Sequence, residues 1–332
     1  MSAGFCSVCG AVLRDGVCPH GHPQRANRRQ FRRRRGSFRR AIGWILVIGL
    51  LTAAAYVGLV WYPRRAAADL MRPASEDFAV GLASYRSAVS AFPPAPTDPE
   101  VLVELSNSVL TAAGDAREDL ARVSARLEQR RAVSWPVISS RPPLGQARAT
   151  REDMIAFSTS ALETVAALEG VAGYVTQVAA VLPQLDNVQQ TLGSPSTGEV
   201  GGAVAESTPI ADQVLADVTA LTPPEELGGL HAALLAIAQR IRDDLDEIAR
   251  AGQQGSQPLV NALVRDVRTE IASFRETLGA APRDAHGGGL GDRKNEVDRL
   301  SERVLAGLTE LRDDYGITGL TFPEAPPPPT GP

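Results

Sequence analysis

The 332 residues carry 34 basic and 38 acidic side chains, three cysteines and 44% hydrophobic residues, for a formal charge of −4. This near-neutral total hides a split: residues 1–40 hold ten arginines and one acid, net +9, and the rest holds 24 basic against 37 acidic residues, net −13. All three cysteines precede residue 19, so the remaining chain has no disulfide and must be held by its own apolar core.

Phe5 to His22 reads FCSVCGAVLRDGVCPHGH. Cys6-x2-Cys9 followed by Gly10 has the form of a zinc knuckle, a tight turn whose backbone N–H groups face two thiolates. Cys18 adds a third soft ligand, and His20 or His22 can complete a tetrahedral set. His22 is preferred, because a C-x3-H spacing leaves the chain room to turn. The pattern resembles the small zinc ribbons, C-x2-C-G…C-x2-C, at the N-termini of many bacterial membrane proteins. It departs from them at Gly21, where the fourth cysteine would fall. The resemblance implies a structural zinc ion on Cys6, Cys9, Cys18 and His22, with His20 as the alternative fourth ligand. Residues 1–24 are the expected ribbon.

Residues 25–40 carry nine arginines, interleaved with Phe31 and Phe38. A juxtamembrane run of this kind is a retention signal that also attracts anionic lipid headgroups, at about 1 kcal/mol for each arginine near the surface. Nucleic-acid binding is the weaker reading, because no base-reading module accompanies the arginines. A protein-docking arm is a third.

Ala41 to Tyr62, AIGWILVIGLLTAAAYVGLVWY, contains no charged residue. Its 22 residues form a helix of about 33 Å, enough to cross a hydrocarbon core of about 30 Å. Trp44, Trp61 and Tyr62 sit where amphipathic rings suit the headgroup level. The run is too long, and too far from the start, for a cleaved signal. Residues 63–77 hold only three arginines, so the arginine excess keeps the N-terminus cytoplasmic and sends the C-terminal part out. Gly49/Ala53 and Ala54/Gly58 are small-x3-small pairs that permit close helix packing and hence a homodimer.

The rest reads as all-α. A helix is expected from Ser75 to Phe92, followed by a capping box at Thr97-Asp98-Pro99-Glu100 and a helix to about Arg131. After a Pro-rich loop at 135–145, a third helix starts at Thr150 and is kinked or broken at Pro183. Gly193 to Val204 is a flexible Gly/Ser stretch. Helices follow at 208–221, 223–251, 257–279 and 293–314, and the Pro-rich tail from Pro323 is disordered or polyproline-like. Residues 97–125 and 222–250 match without gaps at an offset of 125, with ten of 29 positions identical. Their apolar stripes superpose: Leu102, Leu105, Val109, Ala113, Ala116, Leu120 and Val123 against Leu227, Leu230, Leu234, Ala238, Ile241, Leu245 and Ile248. This predicts a two-fold internal repeat, 63–192 and 205–322, joined by the linker 193–204 and closed by the tail 323–332. The corner Thr222-Pro-Pro-Glu-Glu-Leu resembles one seen in bacterial envelope helical proteins. Val165 to Leu182 is the only other candidate span. Its valines and leucines contribute about −2 to −4 kcal/mol on the insertion scale, and Glu169 cancels most of that. It reads as a core helix.

No nucleophile, base and orienting group can be named. G-x-S-x-G, H-E-x2-H, Walker and dinucleotide motifs are all missing. His231 lies beside a helix corner and His286 in a Gly-rich loop, while Asp243, Asp244, Asp246 and Glu247 spread around a helix rather than converge on a calcium ion. The chain therefore reads as a non-enzyme, similar to bacterial single-pass membrane proteins with an N-terminal zinc ribbon and a helical extracytoplasmic domain. The leading expectation is a cell-envelope scaffold or signalling adaptor with protein partners on both sides of the membrane. The alternatives are a ligand-binding sensor with a pocket between the repeats, and a membrane tether for nucleic acid.

Overall fold

The computed structural model describes residues 4–15, 17–22, 28–93, 98–129, 142–193, 196 and 198–323, and for 28–41 and 99–100 the backbone alone. The chain divides into two compact units, Met1–Tyr62 and Pro63–Pro332. Helix accounts for 83% of the described residues, which contain no strand. Among the described residues, extended pairing is confined to two isolated bridges in the head.

In the first unit the cysteine-bearing head is followed by α1, Arg28–Tyr56, and a π-helical turn, Val57–Trp61. The arginine run is therefore helical from residue 28. Side chains from Ile42 to Leu59 are exposed, and Thr52 returns its hydroxyl to the Ile48 carbonyl at 2.9 Å, so even the one polar side chain in the middle of the run is satisfied within the helix.

The second unit contains α2 (Tyr62–Ser90, counted here although its first residue belongs to the other unit), α3 (Pro99–Gln129), α4 (Pro142–Ala179) and α5 (Leu182–Leu192). It continues with α6 (Val200–Ala220), a 3-10 turn at Glu225–Leu227 and α7 (Gly228–Gln253). The last helices are α8 (Gln257–Gly279), α9 (Ala281–Gly287) and α10 (Gly289–Asp313). One continuous core runs through them. The two apolar stripes face it: every residue of the second is buried, and of the first only Leu105 is half-buried. Gly81 lets α2 lie close to α3, since a Cβ there would stand 3.3 Å from Leu120. Phe78 of α2 meets Phe157 of α4 edge-on at 5.0 Å, a pair contributing about 0.5–1.5 kcal/mol beyond its burial. Arg240 of α7 pairs with Glu270 of α8 at 2.9 Å, and Asp186 of α5 pairs with Arg275 of α8.

Three expected boundaries need correction. Helix α2 does not begin at Ser75; it runs from Tyr62 straight through Pro73, with Met71, Ala74 and Phe78 buried. Helix α4 starts at Pro142, eight residues before Thr150, and ends at Ala179; α5 begins at Leu182, with Pro183 in its first turn. Residues 200–204, expected to be flexible linker, form the first turn of α6, with Val200 and Val204 buried, and the helix passes through Pro209. Thr97 of the capping box, most of the 135–145 loop and the tail from residue 324 lie outside the described residues.

Among the described residues, two helical segments are long and apolar enough to cross a membrane, Ile42–Ser90 and Pro142–Leu192. They differ in burial: none of the most apolar window of the first is buried, but 50% of that of the second is. Val165, Leu168, Val171, Val175 and Val178 of the second are all inside the helical core.

Candidate metal centre

The head is built from two tight turns. In the first, Gly10 donates its N–H to the Cys6 carbonyl at 2.9 Å, and Cys6 donates its own to Ala11 at 2.8 Å. In the second, Gly21 donates to the Cys18 carbonyl at 3.0 Å. Gly10 and Gly21 have φ of 70° and 71°, a left-handed conformation that a side chain would strain. The bridge Phe5–Val12 closes the base of the first turn, and the bridge Arg14–Val17 closes a further tight turn between the two. Gly21, which replaces the ribbon pattern's fourth cysteine, thus occupies the same backbone conformation as Gly10, and the chain delivers the next residue, His22, as a side-chain donor.

Four donor atoms converge. The Cys9 and Cys18 sulfurs are 3.5 Å apart, and the Cys18 sulfur is 3.6 Å from His22 Nδ1. The ligand atoms of Cys6, Cys9, Cys18 and His22 all lie within 4.8 Å of one another, close enough to hold a metal ion. Tetrahedral bonds of about 2.3 Å to sulfur and 2.0–2.1 Å to nitrogen require separations of roughly 3.5–3.8 Å, so the donor set fits such an ion with small adjustments. His20 is exposed and stays outside the group, its ring 6.5 Å from that of His22. Cys6 and Cys18 are buried and Cys9 is exposed.

The local electrostatics favour a thiolate at one corner. Backbone N–H groups of Val8 and then Cys9 hold the Cys6 thiol down to about 6, against the burial that opposes them. At Cys9 the Ala11 N–H pulls the thiol down, but desolvation and the neighbouring Cys18 and Cys6 sulfurs outweigh it, and the net direction is up. A cation between the sulfurs would relieve that repulsion.

The two histidines outside the head have structural partners. His231 is half-buried, with Nδ1 2.8 Å from the Tyr174 hydroxyl. His286 is not in a loop but in α9, where its Nε2–H donates to the Phe92 carbonyl at 2.8 Å and its ring stacks on Phe92. Asp243, Asp244, Asp246 and Glu247 do not converge; Asp246 pairs with Arg242 of its own helix, and Gln239 donates to Asp243. Desolvation and the nearby carboxylates of Asp266 and Glu270 push Asp244 up.

A second feature lies in the helical unit. An open cavity of about 1340 Å³ lies beside the C-terminal half of α2, lined among others by Tyr85, Phe92, His286, Lys294 and Phe322. Its walls come from three chain regions more than 190 residues apart at the extremes, so no local motif could announce it.

No family model matches the chain, nor does any curated protein or solved structure.

Proposed function

We propose that the chain is a single-pass membrane adaptor: a zinc-held head in the cytoplasm, an arginine-rich segment against anionic lipid, one crossing at residues 41–62, and an exported helical domain built on a two-fold repeat. The observation that carries the reading is the convergence of Cys6, Cys9, Cys18 and His22 in a head of about twenty residues. So short a chain rarely folds without a metal or disulfides, and keeping it folded implies a surface whose rigidity is used. Four protein ligands leave no position for water or substrate, which makes the zinc structural and the head a docking module rather than a catalyst. The crossing is assigned to residues 41–62 because their apolar surface has no protein cover, whereas the second apolar segment already contributes half of its window to the core. The two buried stripes support the repeat: homologous positions of α3 and α7 do the same packing work.

The test is crosslinking in native membranes with identification of what co-purifies, on the full chain, on a Cys6→Ser/Cys9→Ser chain and on a chain truncated after Arg72. The zinc-dead chain is expected to lose cytoplasmic partners and keep external ones, and the truncation to do the reverse. Identical partner sets from all three would refute the adaptor.

A second reading, a ligand-binding sensor, is favoured by one observation. The cavity beside α2 is lined from both proposed repeats, by residues 79–93 and 286–322, as a pocket between the two halves would be.

A further inference from the structure

The C-terminal segment leads the chain into the cavity. After α10 the backbone turns at Gly316, whose φ is 66°, and buries Ile317. The segment then follows α2. The Thr318 carbonyl accepts from Arg72 Nε at 2.8 Å, and the Thr321 N–H donates to the Ser75 hydroxyl at 2.9 Å. Segment and helix therefore run side by side in the same direction. Phe322, with the Arg312 guanidinium 4.8 Å above its ring, and Pro323 come next, and both line the cavity together with Ala79.

The description of the chain ends at that wall, and the sequence continues Glu324-Ala-Pro-Pro-Pro-Pro329. The cavity continues too, along α2 past Ala83 and Ser87 to Ser90 and Pro93. From Ala79 to Ser90 the helix rises about 16 Å. Six residues at the polyproline rise of about 3.1 Å cover about 19 Å, so residues 324–329 match the length ahead of them. Because Pro323 already stands on the wall, the next residues meet it at the high effective concentration of a short tether.

The chemistry agrees with the geometry. Pro326 to Pro329 carry no N–H, so they can lie on an apolar wall without stranding a backbone donor. A polyproline strand makes no internal hydrogen bonds and is ordered before it docks, which lowers the entropy lost on contact. Val89, Pro93 and Phe322 give the wall partly exposed apolar surface. On the α10 side, Lys294 and Asp298 answer each other at 3.3 Å, so this pair is not left uncompensated under a proline run.

We propose that residues 324–329 dock in this cavity as a polyproline strand that runs along α2 from Ala79 towards Ser90. The chain covers the wall with its own tail. The inference goes beyond both functional readings: the adaptor needs no such cover, and the ligand of a sensor would have to displace it.

The test uses the full chain in nanodiscs of uncharged phosphatidylcholine, with p-benzoylphenylalanine at Ala83 or at Ser90, both exposed, and adducts mapped by mass spectrometry after irradiation. The register predicts adducts on 324–326 from Ala83 and on 327–330 from Ser90. Replacing Pro326 to Pro329 with glycines keeps the length of the tail but removes the preformed strand, and should lower both yields roughly tenfold or more. In an equimolar mixture with isotopically heavy chain, adducts are expected within one chain only. Adducts in the reverse order, or yields unchanged in the glycine chain, would overturn the docked strand. Adducts joining light to heavy chains would overturn the chain's own tail as the occupant, and no tail adduct from either position would overturn the site.

Discussion

A methyl group placed on Gly307 of α10 would stand 2.3 Å from the Thr150 hydroxyl oxygen of α4. The two helices cross at this point with nothing between them but a hydrogen atom and a buried hydroxyl. Gly307→Ala should therefore destabilise the helical unit by about 1–3 kcal/mol, the usual cost of overpacking. Thr150 Oγ1 is buried with no hydrogen-bond partner among the described residues, so Thr150→Ala removes both the obstruction and an unsatisfied group. The double variant should recover part of the loss. Urea unfolding followed by helical circular dichroism measures both; additive costs in the double variant would contradict the contact.

The head should take up one equivalent of zinc, measurable by metal analysis of the purified chain. Cys9→Ser should lose it, His22→Ala should bind it much more weakly, and His20→Ala should leave stoichiometry unchanged. Occupancy should also fall as pH is lowered, because protons compete with the metal for the thiolates. Full stoichiometry in Cys9→Ser would remove the assignment.

The packing of residues 200–204 provides a sharp mutational contrast. Val200 is buried, and a Cβ on Gly252 of α7 would meet its side chain at 2.8 Å. Val200→Asp should cost about 3 kcal/mol or more, since a carboxylate gains no partner there. A flexible linker would tolerate the same change with no measurable effect, and thermal melts of the two chains distinguish these outcomes.

Local pattern made part of this architecture legible. The uncharged run at 41–62, the 3-4 spacing of the apolar stripes and the C-x2-C-G knuckle are each encoded within a few turns of chain, and helix α8 spans 257–279 as its periodicity implies. What escaped the sequence depends on distant partners. Ser75 reads as a helix start, but Arg72 Nε donates to the Thr318 carbonyl at 2.8 Å and the Ser75 hydroxyl accepts the Thr321 N–H at 2.9 Å. The C-terminal segment thus braces α2 where local propensity would end it. At Val200 and Val204, burial against the bundle likewise overrides a Gly-rich stretch of weak helix formers. The cavity is the extreme case, because Tyr85, Lys294 and Phe322 share no sequence neighbourhood.

The choice of fourth ligand is intermediate. Spacing alone left His20 and His22 open. The positive φ of Gly21 and its N–H bond to the Cys18 carbonyl turn the chain so that His22 joins the sulfurs and His20 stays outside.

The central claim, that the metal-held head and the helical domain lie on opposite sides of a membrane, is tested most directly by thiol accessibility. Single cysteines would be placed at the exposed positions Val8, Glu118 and Gln254, in a chain lacking the native three, and treated with an impermeant maleimide on intact cells or spheroplasts. The account predicts labelling at Glu118 and Gln254, with Val8 labelled only after lysis. Protection at Glu118 and Gln254, with labelling at Val8 before lysis, would contradict it.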